Sequence, residues 1–197
     1  MVWSIKSKQQ LKAVGEIERS GSARIMAVVG GAILDQSLRL ALEDRMRPDK
    51  DRRRFLFRST GPFGGQNKVI LGYLLYMYDK EIHDALDAIY MIRNSFAHNL
   101  EMSFDSKDAD FVKAMEKLTL HVGKTSWPGI ILIAGESVGQ NPPIDPVTDG
   151  QSRFLVNLKI ALTYLLEDNR THFPHSNIPI QLAAQASLGG SEPSTLP

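Results

Sequence analysis

No cysteine occurs among the 197 residues, which excludes disulfides, thiolate zinc sites and cysteine nucleophiles and fits a reducing cytosol. Neither charge sign dominates. With 23 Lys and Arg against 22 Asp and Glu there is no global basic field of the kind that marks many nucleic-acid binders, so any such surface has to be local. Long hydrophobic runs are missing as well: Ile25 to Leu34 is apolar but stops at Asp35, well short of a membrane span, and the opening "MVWSIKSKQQ" holds no apolar secretory segment. No Ser-His-Asp order, Gly-x-Ser-x-Gly elbow or internal repeat is present, and Gly61 to Gly65 lacks the Lys-Ser/Thr of a phosphate loop. His83 and Asp87 lie one turn apart and His172 and His175 flank Phe173-Pro174, but neither set completes a metal site. The expectation is a soluble, cytoplasmic protein without cofactor, metal or membrane contact.

What the chain does contain is helical periodicity. At this length one domain of ordinary size is expected, over 1–168, followed by a flexible tail over 169–197 where turn residues accumulate and no period survives. The fold class expected is all-α, a multi-helix bundle. The pattern predicts helices over Ser4 to Glu18, Ala23 to Met46, Gln66 to Tyr78, Lys80 to His98, Asp108 to Leu120 and Arg153 to Glu167. Between Ala23 and Met46 apolar residues occur nearly all round, as in a central helix, and Gly30-Gly31 would permit close helix contact there. The stretch "WPGIILIAG", Trp127 to Gly135, could be a short strand or a hydrophobic flap over the bundle, and we read it as the flap.

Two charges interrupt apolar stripes. Ile82, Leu86, Ile89, Arg93 and Phe96 share one line of their helix, and Val28, Ala32, Asp35, Leu38 and Leu42 share one line of theirs. A buried unpaired charge costs several kcal/mol, so the expectation is a structural ion pair between Asp35 and Arg93. His98, at a helix end, can cap the last carbonyls, and Asn94 one turn earlier can orient its ring.

The stretches "GSARIMAVVGGAILDQSL" and "GPFGGQNKVILGYLLYMYDKEIHDALDAIYMIRNSFAHN" resemble the mannitol operon repressor family of all-helical bacterial proteins. The resemblance rests on small residues before Leu34-Asp35, the turn Gly61-Pro62-x-Gly64, and the ending Ile92 to His98, across roughly residues 21 to 105. That ending is also the Arg-x4-His motif of the wider HEPN superfamily, helical dimers among which are metal-independent ribonucleases and toxins of toxin-antitoxin pairs. The resemblance implies a regulatory binding protein, a transcriptional repressor in type, and a homodimer. Its alternative is a ribonuclease in which His98 moves a proton at the RNA 2′-hydroxyl, Arg93 neutralises the transition state and Asn94 supports them as the catalytic set.

A helix-turn-helix built from the helices on either side of Asp79 would present Glu81, Asp84 and Asp87 to phosphate, which argues against operator contact there. The basic segment 45–58 is the other candidate. It carries seven Lys and Arg against Asp49 and Asp51 and offers Arg52, Arg53 and Arg54 to nucleic acid or an acidic partner, or else is a solvated linker anchored by Phe55 and Phe57.

Overall fold

The computed structural model describes residues 16–17, 19–58, 60–124, 131–133, 136–138, 147 and 149–166. Six helices pack together: α1 Ala23–Asp44, α2 Lys50–Phe57, α3 Asn67–Leu74, α4 Lys80–His98, α5 Ala109–Glu116 and α6 Gly150–Leu166. Beyond isolated helical residues near Ile17, the helix expected over Ser4 to Glu18 lies outside the described residues, as does the expected tail.

Helix starts follow side-chain caps. Ser22, Asp49, Asp79 and Asp108 each accept a backbone N–H of the first turn, satisfying donors that have no carbonyl partner within the helix. The expected span of α4 is met at both ends. Asp49 explains why a helix forms in the charged segment, where no helix was expected: it caps Arg52 N, so a run without apolar periodicity is still nucleated. Helix α3 ends earlier than its apolar pattern suggests. Tyr76 takes a left-handed conformation (φ 53°), with Tyr76 N–H donating to the Tyr73 oxygen and Met77 N–H to the Gly72 oxygen, each at 3.0 Å. This is a Schellman stop with tyrosine where glycine is the usual residue.

The core centres on α1, which packs against α3, α4 and α6, while α4 also meets α3, α5 and α6. Gly30 and Gly31 make the close approach possible on two sides. A Cβ on Gly30 would lie 2.6 Å from Leu158 Cδ2 of α6, and one on Gly31 would lie 2.6 Å from Arg93 Cγ of α4. Contacts of Arg24 with Phe96, Gly31 with Arg93 and Asp35 with Tyr90 run in opposite chain directions, so α1 and α4 are antiparallel. Among the described residues α1 is the one helix long and apolar enough to cross a membrane, but over half of its apolar window is covered by the protein, as a core helix requires. At the far end of the core, Phe104 joins Phe96 and Phe154, with ring centroids 4.9 and 5.4 Å away.

The apolar stretch read as a flap contains a strand instead. Ile131–Ile133 pairs antiparallel with Glu136–Val138, Ile131 opposite Val138. Its β-branched isoleucines suit extended pairing, and a run apolar at every position offers no period from which to read this.

Candidate functional site

The expected Asp35–Arg93 ion pair does not form. Asp35 is paired with Lys68 of α3, Nζ to Oδ1 at 2.6 Å, and the same oxygen accepts the Tyr90 hydroxyl. The antiparallel crossing explains the exchange of partners. Arg93 lies level with Gly31, one turn before Asp35, where its stem rests on the glycine and Nη1 donates to Asn94 Oδ1 at 2.9 Å. Tyr90, three residues earlier on α4, is the residue level with Asp35. The Lys68 side chain is only 4% exposed and needs a carboxylate, whereas that of Asp35, at 37%, also reaches water.

Burial, the hydrogen bond to Asp35 and the nearby negative charge raise the Tyr90 phenol far above its ordinary range, and Arg93 opposes them only in part. Burial alone raises Tyr78, whose hydroxyl donates to the Val69 oxygen at 2.7 Å. Neither tyrosine ionises near neutrality. The Asp35–Lys68–Tyr90 cluster joins α1, α3 and α4.

The motif that ends α4 is dispersed around the helix. Five residues at about 100° each set His98 roughly 140° around from Arg93, and His98 is exposed. Asn94 holds Arg93 rather than the His98 ring. The task of capping falls to Arg24, whose guanidinium donates to the Phe96 oxygen and, through Nη2, to the Asn99 and Leu100 oxygens at 2.7 and 2.6 Å. A cation at a helix C-terminus is favoured by the exposed carbonyls and the dipole. Sequence reasoning passed over Arg24, although it is the first charge in an apolar helix. Lys68 gave a comparable signal inside "NKVILGYLLYMY".

The three arginines proposed for nucleic-acid contact divide by role. Arg53 donates to the Arg47 oxygen at 2.8 Å and to the Met46 oxygen, which pins α2 to the turn before it. Arg52 is exposed but bridges Asp49 at 2.7 Å. Arg54 is exposed without an ion-pair partner among the described residues. Phe55 is 52% exposed, and the Arg58 guanidinium carbon stands 4.5 Å from its ring centroid. The acidic start of α4 is neutralised in place: Lys80 bridges Asp84, Lys117 bridges Asp87 at 3.1 Å and Lys124 lies 3.9 Å from Glu81.

A second polar cluster lies beneath the α5 exit and was not anticipated. Asn157 of α6 is fully buried; its Oδ1 accepts Leu120 N–H at 2.8 Å while Nδ2 donates to the Arg153 oxygen at 2.8 Å. Those backbone partners fix the amide orientation, so His121 Nδ1, 3.0 Å from Nδ2, is an acceptor and carries no proton. Burial, with Arg153 and Lys124 nearby, holds His121 below the ordinary histidine range. An asparagine within the apolar run "FLVNLKIALTYLL" was the available sequence signal.

No family model, no curated protein and no solved structure matches the chain. Among the described residues no group of histidines and carboxylates is arranged to hold a metal ion.

Proposed function

We propose that the chain is a regulatory binding protein of the mannitol operon repressor type, acting by contact between α2 and nucleic acid. The observation that carries this reading is the exposed face of α2. Lys50 and Arg54 follow at one-turn spacing on α2, and Arg58, in extended conformation just past its end, lies over the Phe55 ring, so cations for phosphate and an aromatic ring lie together at one short helix and its exit. Contact through α3 and α4 is disfavoured, because the exposed face of α3 is apolar and the lysines around the start of α4 are already engaged with Glu81, Asp84 and Asp87.

The test is fluorescence anisotropy with labelled duplex DNA and labelled single-stranded RNA over a salt series. Arg54→Ala with Arg58→Ala should weaken binding and flatten the salt slope, by about 0.9 for each duplex phosphate that is no longer neutralised. Absence of binding, or binding that neither substitution changes, would overturn the reading. Chelator-resistant RNA cleavage in the same tubes, abolished in His98→Ala, would replace it with the ribonuclease alternative.

A further inference from the structure

Between the segment that follows α4, helix α5 and the start of α6, side chains line a cavity of about 350 Å³. That volume lies at the small end of ligand pockets, enough for a molecule with one ring or one branched chain and too little for a peptide. Its apolar wall comes from Phe104, Phe111, Val112 and Met115. Phe104 is braced by Phe96 and Phe154, with ring centroids 4.9 and 5.4 Å away. Gly150 lets α6 begin against it, since a Cβ there would stand 3.0 Å from the Phe104 oxygen.

One cation enters this wall. Arg153, in the first turn of α6, lines the cavity, and its Nε is buried without a hydrogen-bond partner. No ion pair ties its guanidinium among the described residues. The two carboxylates that line the same cavity are otherwise placed. Asp149 caps α6, accepting the Ser152 N–H at 2.8 Å and the Ser152 hydroxyl at 3.2 Å, and Glu116 is exposed. The Arg153 charge is felt at His121, where it joins burial in holding the ring below the ordinary histidine range.

We propose that this cavity binds a small monocarboxylate with an aromatic or branched apolar body, its carboxylate on Arg153 and its body against Phe104, Phe111 and Met115. The two oxygens of a carboxylate match the guanidinium fork, and with Nε enclosed the Nη edge is the part of the fork left for them. A guanidinium sealed from water along one side is already partly desolvated, so pairing it sacrifices less hydration than pairing a fully exposed arginine. Arg153 also stands at the positive end of the α6 dipole, which adds to its pull on an anion. A bare inorganic anion would leave the apolar wall unused, and an uncharged hydrocarbon would leave Arg153 unmet. A carboxylate with an apolar body answers both. The inference goes beyond the α2 reading and does not depend on it.

NMR titration of the full chain tests it, with phenylacetate, benzoate and isovalerate as probes, each beside its neutral amide, and circular dichroism as the check on folding. At least one acid should bind saturably at millimolar concentration or below, move the amide signals of Ser106, Val112 and Gly150, and bind roughly tenfold more tightly than its amide. Arg153→Met keeps an apolar stem and should weaken the acid roughly tenfold or more. Val112→Glu, at a position 38% exposed, should stay folded and weaken it as well by setting a like charge at the cavity. Absence of saturable binding by any of the acids overturns the inference, as does binding that the amides match or that neither substitution weakens. Saturable binding of benzylamine in place of the acids, lost in Glu116→Gln, would also overturn it and assign the cavity to a cation.

Discussion

Lys68 and Asp35 form a lopsided ion pair: at 2.6 Å, the ammonium is buried and the carboxylate is more than a third exposed. The two ends should therefore respond unequally to mutation. Asp35→Ala strands a buried cation and is expected to cost about 3 kcal/mol or more. Lys68→Met leaves Asp35 with the Tyr90 hydroxyl and water and should cost about 1 kcal/mol. Urea melts of both variants check this, and equal small losses would mean that the pair is solvated.

Arg24 should matter more to the end of α4 than His98 does. Arg24→Ala removes charge-assisted bonds to three carbonyl oxygens and is expected to cost about 1–3 kcal/mol, with faster amide exchange from Ser95 to Asn99. His98→Ala, on an exposed side chain, should stay within about 0.5 kcal/mol. Comparable losses from the two would return the capping role to His98.

At the α5 exit, acid should loosen the structure. The His121 pKa is lowered in the folded state, so the unfolded chain binds the proton more readily and stability rises with pH in this window. Stability should be intact above the unfolded histidine pKa of about 6.5, fall as pH drops through it, and level off below the lower folded value. His121→Gln should flatten this limb in melts between neutral and mildly acidic pH. Asn157→Ala, which unpairs Leu120 N–H, should cost about 2 kcal/mol at any pH.

The glycine pair separates two kinds of crowding. Gly30→Ala meets the tip of the Leu158 side chain, which can turn aside. Gly31→Ala meets Arg93 at Cβ and Cγ, next to the α4 backbone, and should cost about 2 kcal/mol, against less than about 1 kcal/mol for Gly30→Ala. Thermal melts that rank them the other way would mean that α4 yields more easily than Leu158.

Periodicity made the bundle readable, and α4 was legible to its last residue because Asp79 and Asn99 bracket an apolar stripe that only Arg93 interrupts. Partners across helices were less accessible. Asp35 and Arg93 were each recognisable as a charge in an apolar line, but which pair meets depends on the α1–α4 crossing, and one helical turn moved the contact to Tyr90 and Lys68. Gly30 and Gly31 announced that crossing without giving its register. The Asn157 cluster escaped because its partners are backbone groups of Leu118, Leu120 and Arg153, which carry no sequence identity.

Helix α2 fully buries one side chain, Phe57, partly buries Leu56, and is tied by Arg53 to the carbonyls of the preceding turn. An element held by so little can open while α1, α4 and α6 stay shut, so its amides belong to the fast-exchanging end of the molecule. A phosphate backbone that engaged Arg54 and Arg58 would have to hold that opening closed. Part of its binding free energy would then go into ordering α2, and slowed exchange in residues 50–57 would report occupancy even when affinity is modest.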